Sequence, residues 1–160
     1  MRTRICFFSQ PKLVFENKLK EKNLVPSGGC YAAVYVTGRV AIKVYEKDQA
    51  YDHYLTFVLA NQDNPYVPKV FKMVIGPDFK AVVMEMLNEV GYTDYLALRN
   101  NLYNQDQTDK FLEVIDFINK SVDHNNPNWF IHDISKQNVM KRNGREFVIT
   151  DPLCERFCNN

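Results

Sequence analysis

The sequence predicts an α+β fold, and three features carry that prediction. Short β-branched runs separated by glycine turns fill the first half, one helical stretch interrupts them, and the second half turns helical before closing on a hairpin. Leu24 to Gly28, Ala32 to Val36 and Val40 to Tyr45 read as three strands, turned at Ser27-Gly28-Gly29 and at Thr37-Gly38. Asp48 stands where a helix N-cap belongs, and Tyr51, Leu55, Val58 and Leu59 recur at helical spacing up to Ala60. The run Asn61-Gln62-Asp63-Asn64-Pro65 stops that helix. Val70 to Ile75 and Phe79 to Met86 then form a hairpin about Gly76-Pro77-Asp78. Tyr92 to Asn100 and Thr108 to Val122 read as helices, the second with Phe111, Ile115 and Ile118 on one face, broken by Asn125-Asn126-Pro127-Asn128. Asn138 to Lys141 and Glu146 to Ile149 pair around Asn143-Gly144, a strong short-range turn signal.

The chain's 160 residues match one domain with a sizeable core. Hydrophobic residues make up 46% and charged residues 24%, an ordinary globular balance. A formal net charge of +1 gives no global field to draw nucleic acid or a membrane surface. The first 22 residues lean basic, with six Lys/Arg against two Glu, and read as a solvated edge or arm. Cys6, Cys30, Cys154 and Cys158 form no CxxC pair, and no signal peptide or long apolar span accompanies them, so a reducing cytoplasm is expected. His53, His124 and His132 lack the spacing of a metal site.

The chemistry concentrates near the end. Asp133 is followed five residues later by Asn138, and after the hairpin by Ile149-Thr150-Asp151-Pro152. Transfer of a phosphoryl group from a nucleotide asks a protein for positioning and charge neutralisation more than for covalent participation. In that chemistry Asp133 orients or accepts the proton of the attacking hydroxyl, while Asn138 and Asp151 hold magnesium. Far upstream, Val40-Ala41-Ile42-Lys43-Val44 supplies a strand lysine for the phosphates of ATP. Gly28 and Gly29 let backbone approach those phosphates, and Tyr31 covers them. Val82 to Leu87 reads as a hinge, where backbone groups of Glu85 and Leu87 meet adenine. Each piece has a plainer reading: an Asp-x4-Asn pair recurs by chance, a strand lysine points to water, and the hinge is also an ordinary strand end. The Asp-Asn pair set between a helix and a hairpin, with Thr-Asp at the hairpin's exit, favours the functional reading.

The residues Gly29-Cys30-Tyr31-Ala32-Ala33-Val34-Tyr35, Arg39 to Val44, Val67-Pro68-Lys69-Val70, Asp133 to Met140 and Ile149 to Pro152 together resemble the protein-kinase family. Within it, the chain is most similar to the early Ser/Thr protein kinases of podophages, the teseptimavirus group. The resemblance covers about residues 24–153. It implies a kinase-like fold with an antiparallel-sheet N-lobe holding one helix and a truncated helical C-lobe. The expected divisions are an N-terminal extension over 1–23, N-lobe and hinge over 24–87, and a minimal C-lobe over 88–160. The implied activity is ATP- and Mg-dependent transfer of the γ-phosphate to Ser/Thr of host proteins, in a host cytoplasm if the protein is viral.

The departures from the family are specific. Ala32 replaces the third glycine of the nucleotide loop, His132 stands in place of a phosphate-sensing arginine, and Asp-Phe-Gly becomes Asp151-Pro152-Leu153. Ser135 stands where these kinases usually carry a lysine, with Lys136 one place late. The helix after Lys43 has no glutamate, which leaves Asp48 or Asp52 as its acidic partner. The few residues after Asp151 leave no room for an activation segment or a peptide-docking platform, so an activating protein partner or self-association is expected. Two alternatives follow: a pseudokinase that acts by binding a partner, and a small-molecule kinase of the aminoglycoside type, which also uses Asp-x4-Asn and a later Asp.

Overall fold

A computed structural model describes residues 3–28, 32–101, 108–122 and 130–155. The chain divides into two units, Met1–Asp48 with Lys69–Met86, and Gln49–Pro68 with Leu87–Asn160. The fold is mixed α+β, with a six-stranded sheet in the first unit and the longer helices in the second.

In the first unit the strands are β1 (Arg4–Phe7), β2 (Pro26–Gly28), β3 (Ala32–Val36), β4 (Val40–Tyr45), β5 (Val70–Ile75) and β6 (Lys80–Glu85), in the order β1-β5-β6-β4-β3-β2. All neighbours pair antiparallel except β1, which runs parallel to β5 with Arg4 opposite Lys72. The β3–β4 turn closes on Thr37, whose hydroxyl accepts from the N–H of Val40 at 3.1 Å, local side-chain bonding that favours a turn over continued strand. At the β5–β6 turn a Cβ on Gly76 would fall 2.0 Å from the Phe79 ring, so only glycine lets that ring fold back into the core.

The N-terminal residues are an exposed edge strand followed by a packed helix, not a solvated arm. They form β1 and a helix, α1 (Lys12–Lys20), and Phe8, Phe15 and Leu19 join the core built on Tyr35, Ile42, Val44, Val74, Phe79 and Ala81. Phe8, Phe15 and Phe79 meet ring to ring at centroid distances of 5.0–6.1 Å. The physical reason is amphipathicity: Phe15 and Leu19 lie four residues apart on one face, while Lys18, Lys20, Glu21 and Lys22 stay in water.

In the second unit α2 (Gln49–Ala60) buries Ala50, Tyr51, Tyr54, Leu55 and Val58 along one face. Next come β7 (Asn88–Glu89), α3 (Tyr92–Asn101) and α4 (Asp109–Ser121). Helix α4 starts on Thr108, whose side chain accepts from the Phe111 N–H, and it buries Phe111, Val114, Ile118 and Ser121. β8 (Ile131–His132), a one-turn 3-10 helix (Lys136–Asn138), β9 (Val139–Arg142), β10 (Glu146–Ile149) and β11 (Leu153–Cys154) complete the unit. The β9–β10 hairpin turns on Asn143 and Gly144 with φ of 52° and 70°, the pair of positive values that Asn-Gly tolerates. Asn64, expected only as a helix stop, is fully buried: its amide nitrogen donates to the Lys110 carbonyl and its oxygen accepts from the Tyr66 N–H.

Helix α2 lies in the second unit, with residues 49–68 grouped apart from the rest of 24–87. Its buried face explains why. Tyr54 donates to the Ile149 carbonyl, and the His53 ring stacks on Phe117 at 5.0 Å with Nε2 3.0 Å from the Ser121 hydroxyl. Among the described residues, no helix is long and apolar enough to cross a membrane.

If residues 1–23 are core rather than arm, Leu19→Ala should lower unfolding free energy by about 2–3 kcal/mol. Leu13→Ala, at a position 64% exposed, should stay within about 0.5 kcal/mol. Chemical denaturation of both variants checks this, and equal small effects would restore the arm.

Candidate functional site

The first unit contributes Lys43. It lies on β4, between β3 and β6, opposite in pleat to Ile42 and Val44, and is 8% exposed. A cation that far from water needs a counter-charge. Asp48 Oδ2 lies 3.8 Å from its Nζ, and the ammonium lies 5.8 Å from the Tyr45 ring centroid. Asp48 is one of the two aspartates that the sequence leaves open as a partner for this lysine.

The nucleotide-loop residues are only partly described. Gly28 ends β2 opposite Ala33, while Gly29 and Tyr31 lie outside the described residues. At the expected hinge, the Glu85 N–H donates to the Lys69 carbonyl at 2.9 Å and its Oε1 accepts from the Lys69 N–H at 2.7 Å. Glu85 therefore braces the irregular start of β5. Leu87 is buried.

The second unit brings three sequence-predicted positions to one place. β11 pairs with β8, setting Leu153 opposite His132, and the Asp133 N–H donates to the Pro152 carbonyl at 2.8 Å. The 3-10 turn then carries the chain back. Asn138 Nδ2 donates to the Asp133 carbonyl at 2.9 Å, and the Asn138 carbonyl accepts from the N–H and hydroxyl of Thr150 at 2.9 and 3.1 Å. Asp133 and Asn138 are thereby joined directly, and Asp151 is held between Thr150 and Pro152, both tied into the same loop. From α3, Tyr95 donates its hydroxyl to the Ile134 carbonyl at 2.9 Å.

The electrostatics follow from burial. Tyr54 is fully buried, and burial, with the Asp151 carboxylate as a second cause, pushes its phenol well above the usual tyrosine range. Partial burial lowers the His132 imidazole below its ordinary value, which favours the neutral ring at pH 7. Beside Asp133 opens a cavity of about 510 Å³ lined by Tyr95, Ile115, Ile118, His132 and Ile134 among others. The sequence marks Ile115 only as one face of a helix and does not single out Tyr95.

The donor set suits one kind of cation. Because Asn138 Nδ2 is committed to a carbonyl, its Oδ1 is the amide atom left to bind, and Asp151 adds a carboxylate. Among the described residues no group of three or more His, Cys, Asp or Glu could hold a metal ion. Two hard oxygen donors fit magnesium, which keeps waters and takes its other ligands from substrate phosphates.

No protein-family model and no curated protein matches the chain. Among solved structures it is similar to the crystal structure of the BubR1 kinase domain, at 14% identity and a TM-score of 0.44. The match covers 82% of this chain and 46% of that one, so the chain spans less than half the length of that domain. A TM-score this low does not establish a shared fold.

Asn138→Ala should destabilise the protein by about 1 kcal/mol through loss of the bond to Asp133. Asn138→Asp should cost more at neutral pH, because a carboxylate oxygen then faces the Asp133 carbonyl, and should recover as the pH falls and the carboxyl gains a proton. Urea melts at pH 7 and pH 4 test the order. An Asn138→Asp variant as stable as wild type at pH 7 would show that this side chain does not tie the loop.

Proposed function

We propose that this chain is an ATP- and magnesium-dependent phosphotransferase of the protein-kinase type that phosphorylates Ser or Thr of a protein. The observation that carries the reading is the hydrogen-bonded loop joining Asp133, Asn138 and the Thr150–Pro152 segment. The nearly buried Lys43 with Asp48 at 3.8 Å supports a phosphate-binding role for that lysine. In this reading Asp133 accepts the proton of the substrate hydroxyl as its oxygen bonds to the γ-phosphorus and the bond to the departing ADP oxygen breaks. Lys43 offsets charge on the phosphates, and Gly28, Gly29 and Tyr31 contact them. The Glu85 and Leu87 backbone orients adenine. Asn138 Oδ1 and the Asp151 carboxylate hold magnesium, which when bound neutralises charge on the transferring group.

The substrate is assigned to host proteins of a phage-encoded kinase, with activity raised by a protein partner or by self-association. The open cavity beside Asp133, with isoleucines in its wall, supports a need for such cover. A second reading, a nucleotide-binding pseudokinase, is favoured by one observation. Helix α2 contains no glutamate, and an acidic neighbour of Lys43 is Asp48, outside any helix, whereas active kinases pair this lysine with a helix glutamate.

Transfer of labelled phosphate from ATP, with host lysate as acceptor, tests the proposal. Asp133→Ala should bind ATP as wild type does while transfer falls by about 10²–10⁴-fold, since the group acts in the transition state. Equal transfer by the two proteins would refute the assignment, and binding without transfer in wild type would favour the pseudokinase. Addition of lysate, or a rise in protein concentration through the dimerisation range seen by solution mass, should increase turnover on a peptide. Full turnover by a dilute monomer on a free peptide would remove the partner from the account.

A further inference from the structure

We propose that Tyr54 and Glu155 are positioning residues that clamp the Asp151 segment to helix α2 at both ends and so set the affinity of the site for its cation. The inference rests on the reading of Asp151 as a magnesium ligand and adds the residues that aim it.

The geometry is contained in the second unit. On the N-terminal side of Asp151, the fully buried Tyr54 donates its hydroxyl to the Ile149 carbonyl at 2.6 Å. On the C-terminal side, Glu155 Oε1 accepts from the Gln49 N–H at 2.7 Å, at the first residue of α2. A carboxylate there satisfies an N–H that the helix cannot pair internally and meets the positive end of its dipole. Between the two anchors, Pro152 and Leu153 are buried and β11 is paired to β8. The segment from 149 to 155 is thus fixed to one rigid helix at both ends, with Asp151 inside the span.

This arrangement answers a question raised by the sequence. Asp151-Pro152-Leu153 lacks the glycine that allows the corresponding segment to turn over, and α2 has no glutamate with which to reach a strand lysine. Helix α2 retains a different link to the site, through a phenol at its middle and a carboxylate at its start. Neither group touches the reacting atoms. Their effect on the cation passes through the backbone on either side of Asp151, as outer partners commonly tune a metal ligand.

The test is a magnesium titration of the full chain at fixed ATP, read as the shift in melting temperature, beside the melting temperature without ligands. Tyr54→Phe and Glu155→Ala should each raise the magnesium concentration for half-maximal shift by about tenfold. The ATP shift without magnesium should stay as in wild type. Glu155→Gln, which keeps an acceptor oxygen, should recover most of the affinity. If both variants melt lower without ligands yet keep the wild-type magnesium midpoint, the two residues are merely structural and the inference is overturned. A wild type with no magnesium-dependent shift would instead overturn the metal role of Asp151, and this inference with it. Should Tyr54→Phe fail to fold, Glu155→Ala, at a half-buried position, decides alone.

Discussion

One asparagine holds the second unit's loop in shape. Asn138 donates from its side chain to the Asp133 carbonyl and accepts at its own carbonyl from both donors of Thr150. These bonds reinforce the Asn138-to-Ser135 hydrogen bond that closes the turn. With them, two stretches separated by a hairpin become one surface. The bond from Nδ2 fixes which end of the amide faces the Asp133 carbonyl. An asparagine suits this position, where aspartate would repel the carbonyl it must hold.

Helix α2 is the second constraint. Its apolar face, the Tyr54 hydroxyl and the first N–H all contact residues 149–155, so the helix and the Asp151 segment act as one body. The Asn64 side chain and Arg142 fasten the loop that follows α2. Asn64 bonds the Lys110 carbonyl, and Arg142 bonds the carbonyls of Pro65 and Val67. Buried polar groups with fixed partners specify one arrangement more sharply than apolar packing does.

The sequence was legible where local rules decide. Strand and helix positions emerged within a residue or two, because Thr37-Gly38, Gly76 and Asn143-Gly144 impose turns through short-range geometry. The spacing Asp133, Asn138, Asp151 also led to residues that the loop joins. Long-range partnership was not legible. The lysines of residues 12–22 hid the i, i+4 pair Phe15 and Leu19, so a core helix looked like an arm. The apolar face of α2 announced burial without saying what would cover it. Tyr54 and Glu155 carry no motif at all. Their partners lie about a hundred residues away in sequence, and only the folded chain pairs them.

The central claim is that Asn138 and Asp151 present oxygen atoms to a magnesium ion bound with a nucleotide. Calorimetric titration of ATP into the wild-type chain and into Asp151→Ala, each with and without magnesium, tests it most directly. The account predicts that magnesium tightens ATP binding in the wild type and makes no difference in Asp151→Ala. Wild-type affinity that is the same with and without magnesium would contradict it.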